Sequence, residues 1–260
     1  TGMDDRLSFI RIGTSGFSYK DWAGSFYPQF CPPADFLQVY ANHFDTVEID
    51  ATFYRVPERA AVVRWYRVTP ENFVFAAKFP KAVTHEGTAG ERLETMRRFV
   101  AAMEPLGNKH GPLLMQFPYS FKPEQREMLQ RLIEAVPEHL QVAVELRHKG
   151  WLEEASVLDL MRKRNMALTL IDHPWMPRHS EMTADFGYVR LLGDRKKIQG
   201  DFSYVRDDRE KDLRWWAELL DVQSQLGRTV YVYINNHYTG HSPTTAGRLI
   251  ELLRGSGESS

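Results

Sequence analysis

In TVEIDATFYR (46–55), Glu48 and Asp50 alternate with Val47 and Ile49. Successive side chains on a strand face opposite ways, so the two carboxylates share one face and the two aliphatic residues the other. The pattern recurs along the chain. In FVFAAKF (73–79), placing the small Ala76 inward also places Lys78 inward, and Gln116 ends PLLMQF (112–117). Ala143, Glu145 and Arg147 share a face in VAVELRH (142–148), opposite Val142, Val144 and Leu146. Asp172 ends MALTLID (166–172), Tyr188 and Arg190 share a face of FGYVRLL (186–192), and Tyr231, Tyr233 and Asn235 share one in TVYVYIN (229–235). In FIRIGTS (9–15), Arg11 lies on the face of Gly13 and Ser15.

Acids and cations in this pattern suit acid–base chemistry. A cation beside a carboxylate keeps it ionised, whereas an apolar wall or a second carboxylate raises it toward a useful acid. Glu145, flanked by Arg147, is the expected central acid or base. Glu48, Asp50, Lys78, Asp172 and His85, in the loop after the third strand, are further catalytic candidates. Arg147 and Arg190 are expected to grip a carboxylate or phosphate through paired N–H donors. Lys78 could attack a carbonyl if desolvated beside cations, but an ion pair to Glu48 or Glu145 is the plainer expectation.

The elements that must hold these residues alternate. Helices are expected near 33–42, 58–68, 90–103, 123–135, 153–164, 208–226 and 243–254, the last capped by Ser242. Any helix after the sixth strand must be brief, because Pro174 and Pro177 interrupt it. Strand–helix alternation marks parallel α/β architecture. Eight units within 260 residues predict one TIM-like (β/α)8 barrel over residues 3–254, with a disordered tail at 255–260. An open sheet of the same strands is the alternative. In a barrel both strand faces are covered, so inward carboxylates need partners, and the strand ends line the mouth where such enzymes do chemistry.

Several blocks together, IGTSGFSYKDWAGSFYP (12–28), VEIDATFYR (47–55), FVFAAKFPKAVTH (73–85), GPLLMQFPYSF (111–121), VAVELRHKGW (142–151), DHPW (172–175), YVRLLG (188–193) and YVYINNHYTGHSPTTA (231–246), resemble the DUF72 family, also called YecE-like proteins. The resemblance implies a TIM-barrel-like fold and names no reaction. Its motif positions fall on Glu48, Asp50, Thr52, Tyr54, Lys78, His85, Gln116, Glu145, Arg147, His148, Trp151, Asp172, Arg190, Asn235, Asn236 and Tyr238. Gln116, Tyr54, Trp151, Asn235, Asn236 and Tyr238 therefore join Arg147 and Arg190 as substrate-binding candidates.

The expected ligand is a small anion. Aromatic residues in the loops, Phe17, Tyr19, Trp22, Trp175 and others, could stack on a sugar or base, and Arg195, Lys196 and Lys197 follow the seventh strand. A nucleotide- or single-strand-binding module is thus an alternative. General nucleic-acid binding is not favoured, because the net charge is −1 and the pI about 6.7. No cofactor is expected, as no dinucleotide or ATP loop motif occurs. Glu145, Asp172 and a histidine could hold a divalent metal, giving a metal-dependent isomerase or phosphoesterase as another alternative. Three nearby cations oppose that, so no metal ligand is assigned. The single Cys31 excludes an intrachain disulfide and suits a reducing compartment. With neither a signal-peptide core nor a membrane-length apolar run, a cytoplasmic location is expected. Thr1-Gly2 before Met3 reads as a tag remnant.

Overall fold

The computed structural model describes Asp5 and residues 7–255, so the tag reading and all of the expected tail beyond Gly255 lie outside the described residues. All eight expected strands form, and every pairing between them is parallel. They are β1 (Ile10–Thr14), β2 (Thr46–Ile49), β3 (Val74–Lys78), β4 (His110–Gln116), β5 (Val142–Glu145), a sixth in two pieces, β6 (Ala167–Leu168) and β7 (Leu170–Asp172), then β8 (Phe186–Leu191) and β9 (Thr229–Ile234).

Hydrogen bonding orders them as two ladders, β2-β3-β4-β5-β6 and β1-β9-β8-β7. The ladders meet at both ends. Only Thr169 separates β6 from β7; its N–H donates to the Val144 carbonyl at 2.9 Å, after which the strand turns to pair with β8. At the other seam Ser15 pairs with Glu48, and Gly16 N–H donates to the Glu48 carbonyl at 2.7 Å. The strands therefore run in a ring, as a TIM-like barrel requires, and the open-sheet alternative fails.

Below that bridge a side chain completes the β1–β2 seam. The Tyr40 hydroxyl accepts from Thr14 N–H at 2.9 Å and donates to the Thr46 carbonyl at 2.8 Å. A Cβ on Gly13 would lie 2.1 Å from the Thr46 carbonyl oxygen and 2.8 Å from this hydroxyl, so only glycine admits the arrangement.

The two faces of the strands form two separate apolar clusters. Val47, Phe75, Met115, Val144, Val189 and Val232 pack outward with the helices. Inside, Phe186, Tyr188, Tyr231 and Tyr233 fill the barrel against the small Ala76, Ala143 and Ala167. Large residues on one arc complement small ones on the other, which closes the interior without a pore. This is the inward parity that the strand sequences imply.

Helices form at Arg59–Val68, Ala89–Met103, Arg126–Ala135, Ala155–Lys163, Glu210–Gln225 and Ser242–Gly255, within three residues of expectation. The one expected at 33–42 is shorter, Phe36–Tyr40 after a turn of 3₁₀-helix. Ser242 lies inside the last helix and does not cap it: its hydroxyl donates to Asn236, while His241 Nδ1 accepts from Thr244 N–H. Among the described residues no helix is long and apolar enough to cross a membrane.

Tyr40→Phe is expected to lower unfolding stability by about 1–3 kcal/mol, because it leaves Thr14 N–H and Thr46 C=O buried without their bridge. Urea denaturation of the two proteins measures this; equal midpoints would show that the seam does not need the hydroxyl.

Candidate functional site

Inward parity delivers Glu48, Lys78, Gln116, Glu145 and Arg190 to one end of the barrel, each at the close of its strand. Arg190 is 1% exposed and occupies the middle. Its Nε and Nη2 donate to Glu48, with Nη2–Oε1 at 3.0 Å, and its Nη1 donates to Glu145 at 2.8 Å. Tyr188 and Ser15 hydroxyls add further donors to Glu48. Arg147 Nε donates to the other oxygen of Glu145 at 2.9 Å. Two fully buried carboxylates are thus held by two guanidiniums and two hydroxyls. Burial pushes the Glu145 carboxyl up, but Arg190 and Arg147 outweigh it and bring it down to about 2. Glu145 is a fixed anion.

Lys78 stands differently. It is 9% exposed, and among the described residues its ammonium has no hydrogen-bond or ion-pair partner, so the expected pair with Glu48 or Glu145 does not form. Both carboxylates are already committed to arginines. Its Nζ lies 5.2 Å from the centre of the Phe53 ring. Thr52, next to Phe53, donates its hydroxyl proton to the Lys78 carbonyl at 2.7 Å, tying the loop after β2 to the end of β3. Burial and the charge of Arg190 lower the amine to about 8, against the opposing pull of Glu48, Glu145 and Asp50.

Asp50 is partly exposed beside it. Burial raises its carboxyl, with Lys78 pulling it down and Glu48 pushing it up. Gly16, at φ +77°, lets the loop after β1 come close: a Cβ there would lie 3.1 Å from Asp50 Oδ1. His85 does not follow a bare loop as expected, but a single helical turn, Lys81–Thr84. Arg92 secures that turn by donating to the Val83 and Gly87 carbonyls. The imidazole packs edge-on against Phe53 at 4.9 Å, and burial followed by Arg147 and Lys78 lowers it to about 4. It is a neutral imidazole at physiological pH.

Outside this layer lies a cleft of about 170 Å³ lined by Arg147, Arg195, Lys196, His173, Trp175 and Asn235, among others. The terminal nitrogens of Arg147 point beyond Glu145 with no protein partner among the described residues. Arg195 is likewise unpaired, and its guanidinium is lowered by burial and by the charges of Arg147 and Arg190. Three cations, Arg147, Arg195 and Lys196, line the cleft with one carboxylate, Asp194, whose Oδ1 accepts from Lys196 N–H at 2.8 Å. Asn235 accepts from His237 N–H at 3.0 Å, and Gln116 donates to the Phe117 carbonyl at 2.8 Å.

The sequence pattern of the family described as Protein of unknown function DUF72 matches residues 11–259. The chain belongs to the DUF72 family. It is 24% identical to the UPF0759 protein YecE of Escherichia coli, over 84% of this chain and 85% of that one. A crystallised DUF72 family protein from Thermotoga maritima is 29% identical, covers 94% of this chain and 99% of its own, and superposes with a TM-score of 0.76. An L-ribulose 3-epimerase shares 11% identity over 96% of this chain and 98% of its own at a TM-score of 0.55, a likeness of fold alone.

Four other family positions, Asp172, Tyr238, Trp151 and Asn236, lie away from this DUF72 barrel mouth. Asp172 has the parity of Leu168 and Leu170, which pack outward, and so it faces the helices. It accepts from Trp216 Nε1 at 2.9 Å, Tyr238 hydroxyl at 2.8 Å, Arg178 at 3.1 Å and Arg209 at 3.2 Å. Asp172 and Tyr238 thus pin helix Glu210–Gln225 to the barrel, and no Glu145–Asp172 metal pair exists. Trp151 is fully buried, donating to the Phe121 carbonyl. Asn236 is buried as well; its carbonyl oxygen accepts from Trp22, Ser242 N–H and the Ser242 hydroxyl. Tyr54 is at the surface, 74% exposed. Arg190 reaches the site, but its guanidinium is engaged by Glu48 through Nε and Nη2 and by Glu145 through Nη1. Among the described residues no three His, Cys, Asp or Glu side chains group so as to hold a metal ion.

Two substitutions should shift stability in opposite directions. Glu145→Gln removes one partner of a buried network and should cost about 3–5 kcal/mol at pH 7. Because the native carboxyl titrates below its unfolded value, that contribution is present above about pH 4 and lost as pH falls toward 2. Lys78→Met should instead stabilise. The native amine titrates at about 8, below its unfolded value, so the native state holds fewer protons between about pH 8 and 10. Wild-type stability therefore rises across that window, and the variant's advantage, on the order of 3 kcal/mol at pH 7, shrinks there. Denaturation from pH 2 to 10 checks both; a destabilised Lys78→Met protein would mean that Lys78 is an ordinary structural cation.

Proposed function

We propose that this DUF72 protein is an enzyme acting on a small carbonyl compound that bears a phosphate or carboxylate, with Lys78 as the reactive amine. The observation that carries this reading is a nearly buried lysine without a counter-ion, beside two carboxylates already taken by arginines. At a pKa of about 8, roughly a tenth of the amine is neutral at pH 7, far more than for an ordinary lysine. The neutral amine can take a proton from carbon beside a carbonyl, or add to the carbonyl and expel water to form an imine. Asp50, raised by burial, is suited to give that water its proton. Arg147 and Arg195 would hold the anionic end, and Glu145 fixes Arg147 in place. Lyase- and isomerase-type chemistry both follow from such a site, and glycosidic or phosphoester hydrolysis has less support because Glu145 is held as an anion. A binding module would have no use for an unpaired lysine kept at a cost to stability.

Borohydride trapping tests the reading. A panel of phosphorylated and carboxylated ketones and aldehydes, reduced in the presence of protein, should leave a substrate-dependent adduct that peptide mass spectrometry places on Lys78. Its yield should climb through about pH 8 and vanish in Lys78→Arg. If adducts form only on surface lysines, or if enolisation of the panel is equally fast in Lys78→Arg, Lys78 is not the reactive group.

A further inference from the structure

An aromatic corner stands beside the cationic cleft. Tyr119 and Trp175, 48% and 58% exposed, meet edge to face with ring centres 5.4 Å apart at 66°. His148 flanks Tyr119 at 5.5 Å, and His173 abuts Trp175 at 5.1 Å. Local hydrogen bonds fix both imidazoles: His148 Nδ1 accepts from Gly150 N–H at 3.1 Å and His173 Nδ1 from Trp175 N–H at 3.1 Å. The rings come from three separate loops, after β4, β5 and β7, so their meeting is a tertiary arrangement and not a local cluster.

Burying two large aromatic side chains ordinarily contributes more than leaving them out, yet these remain exposed around a hollow of about 450 Å³ lined by Tyr119, His148, Lys149 and Trp175. Trp175 also lines the cleft that holds Arg147 and Arg195. One indole thus forms the wall shared by an apolar corner and a cationic hollow. On the β5 loop the two neighbours Arg147 and His148 divide in the same way, one toward each. A ligand that fills both must carry a flat ring joined to an anionic group.

The geometry points to a mononucleotide as the ligand: its phosphate against Arg147 and Arg195, its base in the Tyr119–Trp175 corner. This assignment rests on the anion site of the proposed function alone: a mononucleotide such as AMP has no ketone or aldehyde for Lys78, so it is a ligand of the cleft and corner and not the carbonyl substrate. A base presents two faces for stacking and an edge for a T-shaped contact, which suits two rings set at 66°. A bare sugar phosphate would occupy the cleft and leave the corner empty.

Calorimetric titration with AMP, ribose 5-phosphate and inorganic phosphate separates the two parts. AMP is expected to bind at least about tenfold more tightly than ribose 5-phosphate, the effect of stacking one base. Tyr119→Ala, outside the cationic cleft, should reduce that advantage while leaving ribose 5-phosphate and phosphate unchanged, and Trp175→Ala, whose indole also walls the cleft, should erase it. Both residues are exposed, so the variants should fold as the parent does, and circular dichroism verifies that. Equal affinity for AMP and ribose 5-phosphate would overturn the base site and leave the anion site standing. Failure of all three to bind would overturn both. A single-stranded oligonucleotide binding a hundredfold more tightly than AMP would overturn the mononucleotide in favour of a nucleic-acid strand.

Discussion

Arg190 is bound on one side by Glu48 and on the other by Glu145, all three buried inside the barrel. An ion pair of this burial is weak evidence for stability, since desolvating the charges costs about as much as their attraction returns. Its consequence lies elsewhere. By satisfying both carboxylates it fixes the inward ends of β2, β5 and β8 relative to one another, and it leaves Lys78 on β3 with no carboxylate of its own. The same guanidinium then repels the ammonium it has left unpaired. One interaction therefore sets the charge state of Glu145, the availability of Lys78 and, through Glu145, the direction in which Arg147 faces.

The hydroxyls around this core extend the same logic. Tyr188 and Ser15 donate to Glu48, and Tyr40 bridges the seam where β1 and β2 come together around Gly13. The site and the closing of the ring share these strands. A change that loosens the β1–β2 seam would also displace Glu48 and, with it, Arg190. Asp172, by contrast, serves a different joint: four donors bind it to helix Glu210–Gln225 and the loops beside it.

The barrel was legible because alternation of strands and helices is a pattern of period and length, and these follow from local sequence. Inward parity was legible for the same reason, and it located Glu48, Lys78, Gln116, Glu145 and Arg190 together. Parity also held the signal that turns Asp172 outward, since Leu168 and Leu170 share its face, but its place at the end of a strand suggested the mouth. Trp151, Asn236 and Tyr238 could not be separated from binding residues by type alone, because an aromatic or amide beside a strand end serves either purpose. Arg178 and Arg209 come from irregular segments whose fold has no periodic signature. Nor does the sequence say which of three cations takes which of two carboxylates. That choice depends on distances of an ångström or so, and it made Lys78 the free group.

The most direct test of this account is the titration of Lys78 itself. With lysines labelled at Cε with ¹³C, and the Lys78 resonance assigned by Lys78→Arg, NMR follows the amine through its protonation. A midpoint near 8 is predicted, rising in Arg190→Met, which removes the repelling charge and leaves Glu48 and Glu145 without it. A wild-type midpoint at the ordinary lysine value, about 10.4, would contradict the account, because Lys78 would then be a solvated cation with no chemistry to offer at neutral pH.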